Sequence, residues 1–275
     1  METLTQTPAQ RTALEGLVDY AGLFPPAKLP MEAAVAQYEQ AKIGAAAWML
    51  GRFIVRAEDL IALRTCLAGR ARIELSVIST PEMFEVVARI RHEGWAAIGG
   101  IEVPLGDYSI GGCARQARRA RLDDLPIYVE PARQHLAMDK LAEHGLRAKL
   151  RCGGVKPSAF PSVAEVAAFI AAASEAGVAF KATAGLHHPV RHFNEAAGVT
   201  MHGFLNLLCA AALAPKADRA ALEAIVAEEK PSALLGLLED EGAMRGARAR
   251  FASYGSCSFD EPVEDLRALG VLAPA

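Results

Sequence analysis

The segments Ala148-Lys149-Leu150-Arg151-Cys152-Gly153-Gly154 and Ala179-Phe180-Lys181-Ala182-Thr183-Ala184-Gly185 each set a lysine in a short apolar run that ends on glycine. A strand of a parallel sheet is apolar nearly throughout, so a lysine near its C-terminal end predicts a side chain delivered to the mouth of a barrel. One such lysine reads equally well as a side chain snorkelling to solvent, whereas two on consecutive strands favour a site. Outward from this pair, β-like runs at 17–24, 46–55, 72–79, 98–104, 126–130, 147–152, 178–183 and 250–255 alternate with helical stretches. Strand–helix alternation forces a parallel sheet with helices against it. Eight repeats predict an α/β protein built as a closed (β/α)8 TIM barrel, one domain over residues 1–275. Helix starts such as Thr80-Pro81 and Pro161-Ser162 punctuate the pattern.

One interval departs from it. Residues 186–248 separate the seventh and eighth strand candidates by far more than a crossover helix needs. Within that interval Met201 to Leu213 is apolar almost all round, and a helix apolar on every face must be buried. The expectation is a helical insertion between strands seven and eight that covers the barrel mouth, forms a homo-oligomer interface, or both.

The 275 residues suit a barrel, whose usual length is about 250. Hydrophobic residues make up 52%, charged ones 22%, and the formal net charge is -3, a balance that suggests neither nucleic acid nor membrane as a partner. Met1 to Arg11 is polar without an apolar core segment, and the sequence reads as cytoplasmic. The cysteines Cys66, Cys113, Cys152, Cys209 and Cys257 are scattered and never form a Cys-x-x-Cys pair, which predicts reduced thiols and no structural zinc. His187, His188, His192 and His202 form the one histidine cluster. Adjacent histidines on an extended loop point apart and no acid stands at ligand spacing, so no metal and no cofactor is expected. His187 and His188 read instead as substrate contacts or proton carriers at the mouth.

Arg151 lies two residues beyond Lys149 and shares its face, where it suits a substrate carboxylate or phosphate, or pairs with Glu130 or Glu102. Gly153, Gly154 and Gly185 would line the mouth. Gly255-Ser256 precedes a helical stretch at 261–269 and reads as an anion-binding turn or simply a tight one.

The order of these pieces resembles the deoxyribose-phosphate aldolase family of class I aldolases. Val18-Asp19-Tyr20-Ala21-Gly22-Leu23-Phe24-Pro25 is similar to its opening strand, Ile101-Glu102-Val103 to its fourth and Ile127-Tyr128-Val129-Glu130 to its fifth. Lys149-Leu150-Arg151-Cys152-Gly153, Lys181-Ala182-Thr183-Ala184-Gly185 and Gly255-Ser256-Cys257-Ser258 are similar to its sixth, seventh and eighth. Ala184 replaces a family glycine and the 186–248 insertion is foreign to the family, which implies a different substrate head group. The resemblance implies Lys149 as the Schiff-base nucleophile, with Lys181 lowering its pKa by like-charge repulsion. Glu102 and Asp19 would then move protons, or else serve as structural ion partners. Three readings stay open: a carbon-carbon lyase acting on a small oxygenated carbonyl compound, an isomerase or hydrolase that binds an anionic substrate without an imine, and a non-catalytic barrel that assembles with protein partners through its insertion.

Overall fold

Each of the eight apolar runs overlaps a parallel strand in the computed structural model, which describes residues 6–131 and 137–273. The strands are β1 (Val18–Tyr20), β2 (Leu50–Arg56), β3 (Glu74–Ile78), β4 (Ala97–Pro104), β5 (Ile127–Glu130), β6 (Arg147–Arg151) and β7 (Phe180–Thr183). A short antiparallel hairpin, β8 (His192–Asn194) with β9 (Val199–Met201), follows before the last barrel strand, β10 (Phe251–Ser256). The eight barrel strands close in the order β1-β10-β7-β6-β5-β4-β3-β2, all parallel.

The helices are α1 (Pro8–Leu14), α2 (Met31–Ile43), α3 (Leu60–Cys66), α4 (Phe84–Glu93), α5 (Ile110–Arg119) and α6 (Met138–Glu143), then α7 (Val163–Glu175), α8 (Phe204–Leu213), α9 (Arg219–Ala227), α10 (Pro231–Leu235), α11 (Glu241–Arg250) and α12 (Asp260–Ala268). α7 opens on a reciprocal cap, in which Ser162 Oγ accepts from Glu165 N and Glu165 Oε2 accepts from Ser162 N. The stretch Pro157–Glu175 is long and apolar enough to cross a bilayer by length and composition alone. Its residues Val166, Ala167, Phe169, Ile170 and Ala173 are buried, and Phe169 meets Phe180 edge-on at 5.5 Å, as in a core helix.

Two features differ from the sequence expectation. The first strand is three residues long and ends at Tyr20. Pro25-Pro26 has no N–H to give to a ladder, and the chain turns out of the wall with Ala21 N donating to Ser256 O at 2.6 Å and Leu29 N to Gly22 O at 2.9 Å. The second is the 186–248 insertion, which carries the β8–β9 hairpin besides its helices and thickens the outer layer. α8 packs on β10 from outside and is enclosed by α7, α9 and α11, while α11 also meets α1. Every residue from Phe204 to Ala211 is buried, so the chain itself meets the burial demand of this apolar helix. Phe204 stacks on Tyr254 with ring centroids 4.9 Å apart, pinning α8 to the barrel wall. Phe204→Ala is expected to destabilise the fold by about 3–5 kcal/mol through the cavity it leaves, read as a lower denaturant midpoint at unchanged slope.

At the C-terminal end the loops after β6 and β7 touch through glycines. A Cβ on Gly153 would lie 3.0 Å from Gly185 Cα and 2.8 Å from Phe160 Cε1, and Gly185 itself has φ +68°. Only glycine permits both the approach and the left-handed backbone. Ala184, beside it, is also left-handed at φ 62°, a conformation that costs an alanine about 1–2 kcal/mol.

Candidate active site

The barrel interior is built of ions where branched aliphatic side chains usually fill such barrels. Lys181 on β7 places Nζ 2.7 Å from Asp19 Oδ2 on β1 and in direct contact with Glu102 Oε1 on β4. Neither β1 nor β4 neighbours β7 in the wall, so both contacts cross the lumen. Lys149 on β6 reaches the other oxygen of Glu102, with Nζ 2.8 Å from Oε2, and lies 3.4 Å from Glu130 Oε2. Hydroxyls complete the cluster: Ser76 Oγ donates to Glu102 Oε1 at 2.7 Å and Ser253 Oγ to Asp19 Oδ2 at 2.7 Å. Asp19 Oδ1 accepts from the backbone N–H of Arg52 at 2.7 Å. The Lys181 ammonium also faces the Tyr128 ring at 5.7 Å.

Asp19, Glu102, Lys149 and Lys181 are at most 3% exposed. Burial alone would raise the Glu102 carboxyl, yet Lys149 and Lys181 outweigh it and hold Glu102 well below the usual carboxylate range. Burial alone would lower Lys181, and Asp19 with Glu102 reverses that, holding it above the usual ammonium range. Glu130 follows the same logic, with burial opposed by Lys149 and Arg151 and a net downward shift. The chain of charges therefore runs Asp19, Lys181, Glu102, Lys149, Glu130, Arg151 from mid-barrel to the C-terminal mouth. Arg151 closes it with Nε 2.6 Å from Glu130 Oε1 and a side chain 44% exposed. Buried ion clusters seldom stabilise more than apolar packing of the same volume, so a barrel that keeps one in place of its aliphatic layers points to chemistry.

The structure thus brings four residues singled out in the sequence, Lys149, Lys181, Glu102 and Asp19, into one ion-paired unit. It also inserts a carboxylate between the two lysines. Glu102 bridges the ammonium groups, so the repulsion expected between them is offset by an anion in direct contact with both.

The expected histidines and the Gly255-Ser256 pair lie outside that unit. His187 Nδ1 pairs with Glu261 Oε2 at 2.9 Å and His188 Nδ1 with Asp265 Oδ2 at 2.6 Å, so both rings are held by α12 rather than aimed at the lysines. His192 meets His188 edge-on at 4.5 Å, and buried His202 is turned away onto Pro161 O at 2.8 Å. Burial lowers the pKa of both His192 and His202. Gly255 and Ser256 belong to β10 itself, the last two residues of that strand, with Gly255 registered between Asp19 and Thr183. A Cβ on Gly255 would meet Ile54 Cδ1 at 2.9 Å, which is why the wall is bare there. Ser76 and Ser253 are site residues that sequence reasoning passed over. Their signal was a lone hydroxyl inside an apolar strand, in Leu75-Ser76-Val77 and in Ala252-Ser253-Tyr254.

A closed wall of eight parallel strands joined by helices makes this a (β/α)8-barrel protein. No family model matches the chain. No curated protein matches it either. Among solved structures, it is similar to a candidate fructose-1,6-bisphosphate aldolase from Coccidioides immitis at 11% identity and TM-score 0.39, over 88% of this chain and 94% of that one. It is also similar to the monooxygenase RslO1 from Streptomyces bottropensis at 13% identity and TM-score 0.43, over 92% of this chain and 97% of that one. At these identities and scores the likenesses add nothing to what the strand topology establishes.

Proposed function

We propose that the protein is an enzyme, a carbon-carbon lyase of the class I aldolase type that forms an imine between Lys149 and a small oxygenated carbonyl compound. The observation that carries this reading is a buried lysine, Lys149, toward the mouthward end of the ion chain, with the carboxylate of Glu130 3.4 Å from Nζ to accept its proton. Glu130 takes a proton from the ammonium, and the neutral amine adds to the carbonyl carbon to give a carbinolamine. Returning that proton to the hydroxyl lets water leave as the imine forms. In the cleavage direction a carboxylate removes the proton of the β-hydroxyl, the carbon-carbon bond breaks, and its electron pair passes into the imine as an enamine. Lys181 stays an ammonium throughout and fixes Glu102. Arg151, half in solvent, is the group to hold a substrate carboxylate or phosphate.

Borohydride reduction in the presence of small aldehydes, ketones and 2-oxo acids tests the reading by intact mass and peptide mapping. The expected result is a single stable adduct on Lys149. A second reading, an isomerase or hydrolase in which Lys149 and Arg151 only polarise an anionic substrate, is favoured by the ion pairs that tie Lys149 to both carboxylates. Absence of any adduct on folded protein, with a known class I aldolase labelled in parallel, would replace the lyase reading by that one.

A further inference from the structure

The end of the barrel away from Arg151 is open. A cavity of about 710 Å³ lies among the N-terminal ends of the strands, lined by Leu50, Gly51 and Arg52 of β2, Glu74 of β3, Ala97 of β4, Arg147 of β6 and Ala252 of β10. Arg147 and Arg151 sit at opposite ends of β6, about 13 Å apart along the strand, so this cavity and the C-terminal mouth are separate.

The lining is strongly cationic. Lys42, Arg52, Arg72, Arg147 and Arg248 face two acids, Asp19 and Glu74. Both acids are already engaged, Asp19 with Lys181 and Ser253, and Glu74 with Arg52 Nε at 2.7 Å. Among the described residues no carboxylate forms an ion pair with Arg72, Arg147 or Arg248, whose hydrogen bonds go to neutral oxygens. Arg72 Nη2 donates to Ala96 O at 3.3 Å and Arg147 Nη1 to Tyr128 OH at 3.0 Å. Arg248 donates to Phe251 O, Ala252 O and Glu15 O. Burial lowers Arg248 to about 10 against the pull of Asp19, Tyr128 and Glu15, which leaves it cationic at neutral pH. Guanidinium groups gathered round a cavity without counter-ions repel one another, and their planar forks match the oxygens of phosphate and carboxylate.

We propose that this N-terminal cavity binds a small oxyanion carrying two or more negative charges, of the phosphate-ester or polycarboxylate kind, with Arg72, Arg147 and Arg248 as its anchors. The occupant supplies the missing counter-charge. It also sits against Asp19, the carboxylate that holds Lys181 from below, so the site adjoins the buried ion chain at the end opposite the proposed chemistry. The proposal stands on this cavity alone and does not depend on the lyase reading.

Calorimetric titration of the full chain with inorganic pyrophosphate and, separately, citrate, at constant ionic strength, tests it. Saturable binding of pyrophosphate is expected, weakened about tenfold or more in Arg72→Gln and further in Arg72→Gln with Arg147→Met. Arg72 is exposed, so the single variant folds and its result stays readable. Arg151→Met is expected to leave the affinity unchanged, which separates this site from the C-terminal mouth. Binding of citrate as well as pyrophosphate makes charge the criterion, and pyrophosphate alone makes phosphate the criterion; either supports the site. No saturable heat up to about 10 mM, or equal affinity in wild type and both arginine variants, would overturn it.

Discussion

Lys181→Met is expected to cost about 3–5 kcal/mol of folding stability at neutral pH, measured by chemical unfolding, because it strands Asp19 and Glu102 as buried anions without their common cation. Methionine matches the lysine stem in volume, so the loss reports charge and not a cavity. Adding Asp19→Asn and Glu102→Gln to Lys181→Met is expected to restore much of the loss, since the stranded charges are then gone. Restoration would assign the effect to the ion cluster. A Lys181→Met protein as stable as wild type would mean that the ion contacts of Lys181 add no net stability to the fold.

The same groups set how stability depends on pH. Glu102 and Glu130 have folded pKa values below their unfolded ones, near the ordinary glutamate value of about 4.3. Their contribution is therefore full above that value and is lost as pH falls through it toward the folded values. Lys181 is shifted upward, so its contribution is full below the ordinary lysine value of about 10.4 and is lost only as pH rises beyond it toward the folded value. The contribution of these three groups is expected to be flat between these limits, with an acid limb that steepens below about pH 4 and shrinks in Glu102→Gln, read as denaturant midpoints across a pH series.

What the sequence could tell followed from periodicity. Eight apolar runs of strand length alternating with helices leave few architectures, and all eight became the barrel wall. The strand edges drifted where a local rule intervened, as at Pro25-Pro26. The β8–β9 hairpin was invisible because its strands are three residues each and carry His192, Asn194 and Thr200 in place of an alternating apolar face. Partners proved harder to read than positions. Lys149, Lys181, Glu102 and Asp19 stood out as charges in apolar strands, but that Glu102 would lie between the lysines depends on barrel closure and strand stagger, which no local pattern encodes. The pairing of His187 and His188 with α12 spans more than seventy residues, and loop composition gives no sign of it. Arg72 and Arg147 each open a strand run, a position that reads as a solvated end until the closed barrel gathers those ends round one cavity.

Lys149 carries the second large effect. Lys149→Ala is expected to abolish the borohydride adduct and to lower kcat/KM for whatever substrate the trapping panel reveals by about 10⁴-fold or more, as removal of a covalent nucleophile does. That variant alone is ambiguous, because it also leaves Glu102 and Glu130 short of a cation, and a fold weakened by a few kcal/mol would lose activity for that reason. Lys149→Arg resolves it. Arginine keeps a permanent positive charge between the two carboxylates and preserves their ion pairs, but it cannot shed a proton to become a nucleophilic amine. A Lys149→Arg protein that unfolds like wild type yet gives neither adduct nor turnover would locate the defect in the amine itself. Retained turnover in Lys149→Arg would show that a fixed positive charge is all the reaction asks of this position, and the isomerase or hydrolase reading would take the place of the lyase.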